Sequence, residues 1–402
     1  MSLMPVEQAL QLLLEHAASQ PALGTEQVSL NAALGRILAE PVEATLDVPP
    51  WDNSAMDGYA LHSADIATAL EQGLPISQRI TAGTAPAPLQ PGTCARIFTG
   101  APLPEGADTV EMQENTQLNS NALMQLLQPL TPGANVRPRG QDICVGSRVL
   151  EAGTRLRAQD LGLLASIGIA ELKVVRPLRV AVASTGDELR EPGEPLGPGQ
   201  IYNSNRYTLI GLLQALGLVI IDAGILPDDP EQTRARLRAL AAQADLIITS
   251  GGVSVGEADC LGQVLREQGQ VNLWKLAIKP GKPFTLGSFN STPVIGLPGN
   301  PAAVLVTFVL LVKPWLLRRQ GVTDVAPLSL SLPAGFDWPR AGKRDEYLRA
   351  RLEAGQVVPS GNQSSGVLSS ASQASGLLLI PAGQTPRRGE AVQFLPFSGL
   401  LG

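Results

Sequence analysis

From residue 177 onward the chain alternates between short apolar runs and amphipathic ones. "LRVAVAST" (178–185) reads as a strand, "SNRYTLIGLLQALG" (204–217) as a helix and "LVIIDAGILP" (218–227) as a strand. "DPEQTRARLRALAAQA" (229–244) comes next as a helix capped by Asp229 with Pro230 in its first turn, and "DLIITSG" (245–251) as a third strand. Strands that alternate with helices require crossover connections, and those predict a parallel sheet covered on both faces. No other feature of the chain restricts its fold as strongly.

The segment after each strand is polar and unlike a solvated loop. "TGDEL" comes after the first strand, "PDDP" after the second, "SGGVSVGEAD" after the third, "KPGKP" after a fourth, and "LPGNP" after "PVIG". Chance would place such clusters at both ends. Here all of them fall at carboxyl ends, the edge where open α/β sheets bind ligands.

The fourth strand lies in "VNLWKLAIKPGKPFTLG" (271–287), which carries Lys275, Lys279 and Lys282 with no acid near them in sequence. Pro280 and Gly281 argue against a helix. Read as a strand, Lys275 and Lys279 share one face, opposite Trp274, Leu276 and Ile278. Gly251, Gly252 and Gly256 would let backbone N–H groups approach a phosphate, and "GLPGNP" starts a helix with Asn300 as cap and Pro301 in its first turn. Glu188, Asp228 and Asp259 sit on the same predicted edge. Hard carboxylates beside phosphate-binding lysines are what a Mg²⁺-dependent phosphate reaction requires, so these three are the candidate metal ligands.

Composition narrows the partners. At 402 residues, 44% of them hydrophobic, the chain can form several cores, and a net charge of −6 argues against nucleic acid or a membrane surface. The basic face Arg234, Arg236, Arg238 reads as a solvated helix surface. Cys94, Cys144 and Cys260 are far apart and odd in number, which fits a reducing cytoplasm and offers no zinc spacing. With only His16 and His62, a histidine-centred triad or zinc site is not expected. The run "AAVLVTFVLLV" (302–312), ending at Lys313-Pro314, is too short to span a bilayer and reads as a buried helix. No secretory signal is expected ahead of the first helix.

The rest of the chain divides by texture. Residues 5–20 and 26–40 look helical. Residues 45–140 are short apolar runs split by Gly and Pro, a small β-rich module, and 141–176 return to helical text at "AQDLGLLASIG". The expected organisation is multidomain α/β. A discontinuous N-terminal dimerisation domain (1–44 and 141–176) encloses the inserted module (45–140); a doubly wound, mostly parallel domain (177–325) and a C-terminal β-barrel or sandwich (326–402) complete it.

Seven ordered motifs are specific: "DNSAMDGYA" (52–60), "TGAPLPEGAD" (99–108), "VASTGDEL" (182–189), "IYNSN" (201–205), "TSGGVSVGEAD" (249–259), "KPGKPFTLG" (279–287) and "GLPGNP" (296–301). Through them the chain resembles the MoeA family of molybdopterin molybdenumtransferases, which includes gephyrin-type E domains. The resemblance implies insertion of molybdate into adenylylated molybdopterin with Mg²⁺-dependent release of AMP, by a cytoplasmic homodimer whose cleft lies between the α/β domain of one subunit and the β-rich module of the other. It places Asp57, Thr99 and Asp142 with Glu188, Asp228 and Asp259 among the catalytic residues. Gly251, Gly252, Ser254, Lys275, Pro298 and Pro301 are implied in substrate binding, Lys275 at the phosphate end of the pterin. Molybdate falls to Lys279, Lys282 and Pro283, with Arg344 and Ser365 matched through "GKRDEYLR" and "GNQSSG". The molybdopterin adenylyltransferase and downstream cofactor-synthesis proteins are the implied partners.

Gln141, Ala303, Cys260 and Trp51 depart from the family pattern, and none removes a principal charge. Two other readings stand beside this one. A non-catalytic pterin-binding scaffold would need a long linker or fused domain. A nucleotide pyrophosphatase or deamidase would leave "DNSAMDGYA" and "TGAPLPEGAD" unexplained.

Overall fold

The computed structural model describes residues 3–252 and 260–401. Helix α1 (Val6–Ser19) buries Val6, Ala9, Leu13 and Ala17, the three-and-four spacing of one helical face. Residues 26–40 are not helical as expected: β1 (Thr25–Ser29) is followed by a short 3₁₀ turn, Leu30–Ala32. A distant partner strand decides the conformation there, because pairing outweighs local propensity. Residues 45–140 hold a four-stranded sheet of β2 (Gly58–Leu61), β3 (Ile76–Ile80), β4 (Cys94–Ile97) and β5 (Thr109–Met112), in the order β3-β4-β2-β5. The chain then returns through α2 (Ala158–Ser166) to β6 (Glu171–Val175), which pairs antiparallel with β1.

The alternating region keeps to its pattern: β7 (Arg179–Thr185), α3 (Ser204–Ala215), β8 (Val219–Leu226), α4 (Pro230–Ala241), β9 (Leu246–Ser250) and α5 (Cys260–Gln268). Asp229 caps α4, its side chain accepting from the Gln232 N–H at 2.8 Å. The lysine segment is not one strand. It comprises β10 (Gly269–Lys275), a break at Leu276–Ala277, and β11 (Ile278–Lys279), which leaves the sheet. β12 (Pro283–Phe289) and β13 (Thr292–Leu297) complete a six-stranded sheet in the order β8-β7-β9-β13-β12-β10.

That sheet is mixed. β8, β7, β9 and β13 are parallel, while β12 is antiparallel to both β13 and β10. Two reversals restore direction, so β10 runs with the parallel set and ends, at Lys275, on the rim where β7, β9 and β13 end. Alternate residues of β7 feed opposite cores: Val180 and Val182 pack with α1, α3 and the long helix α6 (Pro301–Arg319), Ala181 and Ala183 with α4 and α5.

Helix α6 is long and apolar enough to cross a membrane by length and composition, yet 83% of that stretch is buried inside the protein. It runs past the expected end at Lys313-Pro314. A wide π turn at Phe308–Val312 precedes Pro314, where a regular turn would set the proline ring against the carbonyl four residues back. The C-terminal sheet has the order β11-β15-β17-β18-β14, built from β14 (Leu330–Pro333), β15 (Asp345–Glu353), β16 (Gln356–Pro359), β17 (Gly376–Ile380) and β18 (Ala391–Pro396). β16 pairs with β15, and a bridge joins Ala334, just past β14, to Val357 in β16.

Candidate active site

The rim of the six-stranded sheet is built on glycine. Gly251 and Gly252 come directly after β9 with φ of +83° and +63°, and a Cβ on either would come within 2.9 Å of Thr185 Oγ1. Only glycine fits both conditions. The Gly251 N–H donates to the Leu297 carbonyl at 3.1 Å, tying this turn to the end of β13. Beneath it Ser184 Oγ lies 3.1 Å from Asn203 Oδ1 and 3.2 Å from Ser250 Oγ, all three residues buried. Asn205, the second asparagine of "IYNSN", donates from Nδ2 to the Gly299 carbonyl at 2.7 Å and so holds the "LPGNP" turn.

The lysines sit in a compact turn. Lys275 faces Pro283 in register, and the Leu276 N–H donates to the Lys282 carbonyl at 2.7 Å. Gly281, at φ +113°, lets the turn rest on α6, since a Cβ there would come within 2.5 Å of Thr307 Cγ2. The expectation that no acid answers the lysines is corrected for one of them. β11 pairs parallel with β15, setting Lys279 beside Glu346, and Lys279 Nζ donates to Glu346 Oε2 at 3.1 Å. The counter-charge comes from 67 residues away in sequence. Lys275 is half-buried and Lys282 exposed, and among the described residues neither ammonium group makes a hydrogen bond or ion pair.

The C-terminal matches join the same place. Arg344 Nη1 donates to the Ile278 carbonyl at 3.1 Å, and the Ser365 carbonyl accepts from the Ala302 N–H at 3.1 Å, at the start of α6. Asn300 occupies the expected cap position with Pro301 in the first turn, but its side chain makes no cap bond; its carbonyl accepts from the Ala303 and Val304 N–H groups, each at 3.0 Å. Ser365 serves the first turn instead, with Pro298 and Pro301 flanking it.

One residue the sequence reading missed holds this corner. Arg349 in β15 is fully buried, donating from Nε to Ser370 Oγ at 3.1 Å and from Nη2 to the carbonyls of Asn362 and Ser364, each at 3.0 Å. It therefore braces the loop that presents Ser365. No local signal marks it, because its partners lie 13 to 21 residues away. Met4 was also missed: its N–H donates to the Lys275 carbonyl at 2.8 Å and its carbonyl accepts from Ala277 N–H at 2.7 Å, clamping the lysine turn.

Glu188 and Asp228 lie just beyond β7 and β8 on the same rim, both exposed, and their carboxylates have no hydrogen-bond or ion-pair partner among the described residues. Ser254, Gly256 and Asp259 lie outside the described residues. No cluster of three or more metal-ligating side chains occurs among the described residues. Arg234 is more engaged than a solvated surface suggests, pairing with Glu231 and, at 2.7 Å, with Glu267. The cysteines are free thiols.

A second constellation lies on the module. Asp57 Oδ1 accepts from both the Thr99 N–H and the Thr99 hydroxyl, each at 2.8 Å. The Thr99 backbone bond first, then its hydroxyl, and then the charge of Arg96 hold the Asp57 carboxyl below the usual carboxylate range. Asp142 stands apart from this pair, at the foot of the module, exposed and with its N–H donating to the Val48 carbonyl at 2.9 Å. Among the described residues no hydrogen bond or ion pair joins residues 45–140 to 177–402.

Three family models match the chain in order: the MoeA N-terminal region (domain I and II) over residues 4–168, a probable molybdopterin binding domain over 181–318, and the MoeA C-terminal region (domain IV) over 331–397. The molybdopterin molybdenumtransferase of Haemophilus influenzae is 42% identical over 386 residues, covering 94% of this chain and 95% of its own. That of a Nostoc species is 41% identical over 375 residues, covering 90% and 86%. The chain belongs to the MoeA family of molybdopterin molybdenumtransferases. A crystal structure of the molybdopterin biosynthesis MoeA protein from Pyrococcus horikoshii superposes over 98% of this chain and 100% of its own, with a TM-score of 0.84 at 31% identity. Within the MoeA frame the lysine turn and the glycine rim belong to the probable molybdopterin binding domain, while Arg344 and Ser365 fall in the C-terminal region.

Proposed function

We propose that this chain carries out the metal-insertion step of molybdenum cofactor biosynthesis, combining molybdate with adenylylated molybdopterin and releasing AMP. The observation that carries this reading is the pairing of unanswered charges on one rim: the ammonium groups of Lys275 and Lys282 and the carboxylates of Glu188 and Asp228 have no partners among the described residues, beside a turn that only glycine can form. Unpaired cations and acids distributed along one rim of a sheet suit an extended ligand that bears both phosphate and a metal ion.

Lys275 takes the phosphate end of the pterin. Lys279, Lys282 and Pro283 hold molybdate, with Arg344 and Ser365 closing the pocket from the C-terminal region. Each charge-assisted hydrogen bond contributes about 1.5–3 kcal/mol, enough for two or three donors to capture a small dianion. Glu188 and Asp228, with Asp259, offer hard oxygen donors that fit Mg²⁺, which commonly uses one or two carboxylates plus substrate phosphate and would neutralise charge at the pyrophosphate. The chain's own contribution is orientation: the glycine turn shapes the rim where the phosphates lie and the lysines fix the oxyanion.

Asp57 and Thr99 enter from the module of a second copy, and Asp142 assists from its foot, in a cytoplasmic homodimer. The same reading divides the chain into units 1–44 with 141–176, 45–140, 177–325 and 326–402. The last of these is read as a small barrel, and the Ala334–Val357 bridge between the end of β14 and β16 supports that reading. Purified protein should release AMP from adenylylated molybdopterin only when molybdate and Mg²⁺ are both supplied; release indifferent to molybdate would overturn the assignment.

A further inference from the structure

An inner strand of the module sheet carries a guanidinium that the rim chemistry does not use. Arg96 in β4 stands in register between Arg79 of β3 and Tyr59 of β2. Its neighbours Ala95 and Ile97 point into a core with Ala60, Ile80 and Val110, so Arg96 emerges half-buried on the opposite face. There Arg96 and Arg79 both lie over the Phe98 ring, 4.6 and 4.9 Å from its centroid, and Arg96 also lies 5.1 Å from the centroid of Tyr59. Two aromatic faces thus hold the plane of the Arg96 guanidinium.

Its donors go to carbonyl and amide oxygens rather than to an acid. Nη1 donates to the Gly58 carbonyl at 2.8 Å and Nη2 to Gln113 Oε1, and among the described residues Arg96 makes no ion pair. The acid on the same sheet, Glu111 opposite Tyr59, is occupied by the Met112 N–H at 2.8 Å and by Asn115 Nδ2 at 3.0 Å. The groups that Arg96 touches all border the Asp57–Thr99 pair. Gly58 follows Asp57 in the chain, the Gln113 N–H donates to the Asp57 carbonyl at 3.0 Å, and Phe98 precedes Thr99. Thr99 uses Asp57 Oδ1 twice and leaves Oδ2 without a hydrogen-bond partner among the described residues.

We propose that Arg96 is a positioning residue for Asp57. Through Gly58 and Gln113 it fixes the backbone of the aspartate, and through the Phe98 ring it fixes that of the threonine, so that the free Oδ2 is presented in one direction. A lysine could not replace it, because an ammonium group is a point charge without the planar fork that stacks on rings while bonding two oxygens at its edge. Arg96 is also the charge whose field favours the ionised form of Asp57. The inference rests on the function proposed above for the part Asp57 plays in AMP release, while the brace itself belongs to the module alone.

The test uses the full-length protein and two substitutions: Arg96→Lys keeps the charge and loses the fork, and Arg96→Gln loses both. Hydrogen–deuterium exchange followed by mass spectrometry reads the Thr99 N–H, which Asp57 protects; its exchange should quicken about fivefold in both variants while the rest of the module sheet exchanges as in the parent. In both, kcat for molybdate-dependent AMP release should fall about tenfold with KM unchanged. Only in Arg96→Gln should the acid limb of the pH–rate profile move to higher pH, as Asp57 loses its neighbouring cation. Unchanged Thr99 exchange, parental kcat in Arg96→Lys, or exchange quickened throughout the module overturns the inference. Should Arg96→Gln fail to fold, Phe98→Leu removes one side of the brace with Arg96 in place; it should quicken Thr99 by a smaller factor, and no change there overturns the inference equally. Quickened exchange at Thr99 in a protein whose parent releases no AMP retires the proposed function and leaves the brace standing.

Discussion

The sheet rim and the inserted module treat their functional acids in opposite ways. On the rim, Glu188 and Asp228 stand exposed without partners among the described residues, and Lys275 and Lys282 are equally unengaged. On the module, Asp57 is gripped by two donors from a single threonine. A group that a ligand must satisfy gains from being left unpaired until the ligand arrives, whereas a group that must present one oxygen in one direction gains from being fixed beforehand. The rim is built to receive charge and the module to aim it.

Lysine replacements give the largest expected effect. Removing one charge-assisted donor costs about 1.5–3 kcal/mol, so Lys275→Ala should lower molybdate-dependent AMP release about 10- to 100-fold, with Tm unchanged. Lys279→Ala should lose as much activity and also stability, because Glu346, only 8% exposed, would keep its carboxylate without its cation. The loss is about 1–2 kcal/mol, discounted because Lys279 itself is half exposed, and shows as a drop of a few degrees in a thermal melt. Unfolding of the Lys275 variant would show that the rim's unpaired lysine is structural after all.

Next comes the glycine turn. Gly252→Ala places a Cβ 2.8 Å from Thr185 Oγ1 at a φ of +63° and should reduce kcat/KM about tenfold. Thr185→Ala in the same chain removes the contact but not the backbone strain, so it should recover part of the loss and no more.

The features of the rim differ in how readable they are from sequence. The glycine turn and the one-sided rim are local: each polar cluster adjoins its own strand, and the period-two alternation of β7 sends valines to one core and alanines to the other. The Lys279–Glu346 pair, the Arg349 brace and the Met4 clamp are long-range, and a single sequence carries no sign of which distant residue a side chain will meet. The same limit explains the misread β1, whose strand exists because β6 pairs with it. Helices between the early strands point to a parallel sheet, but β12 and β13 are joined by the tight turn Asn290–Ser291, which allows only an antiparallel return.

A smaller effect tests the module's grip. Thr99→Val keeps the backbone N–H but removes the hydroxyl donor, so AMP release should fall about three- to fivefold, within the roughly 0.5–1.5 kcal/mol of one hydrogen bond. The sign with pH is fixed. Thr99 holds the Asp57 carboxyl below its ordinary range, so losing the hydroxyl lets it rise, and the acid limb of the pH–rate profile should move to higher pH. A profile that falls in height without moving would mean that Asp57 does not need its charge.

The mildest departure from full activity is the one that decides how the two regions cooperate. Mix Asp57→Ala protein with Lys275→Ala protein, each strongly impaired alone, and let subunits exchange. If rim and module come from different chains, each mixed dimer carries one site with both lesions and one with neither. Random pairing makes about half the dimers mixed with one good site in two, so about a quarter of parental AMP release should return. If a site is completed within its own chain, both sites of every mixed dimer carry a lesion and nothing returns. Lys279→Ala in place of Lys275→Ala should give the same quarter, because both lysines belong to the rim, whereas Thr99→Ala mixed with Asp57→Ala should give no rescue, because every site then receives a damaged module.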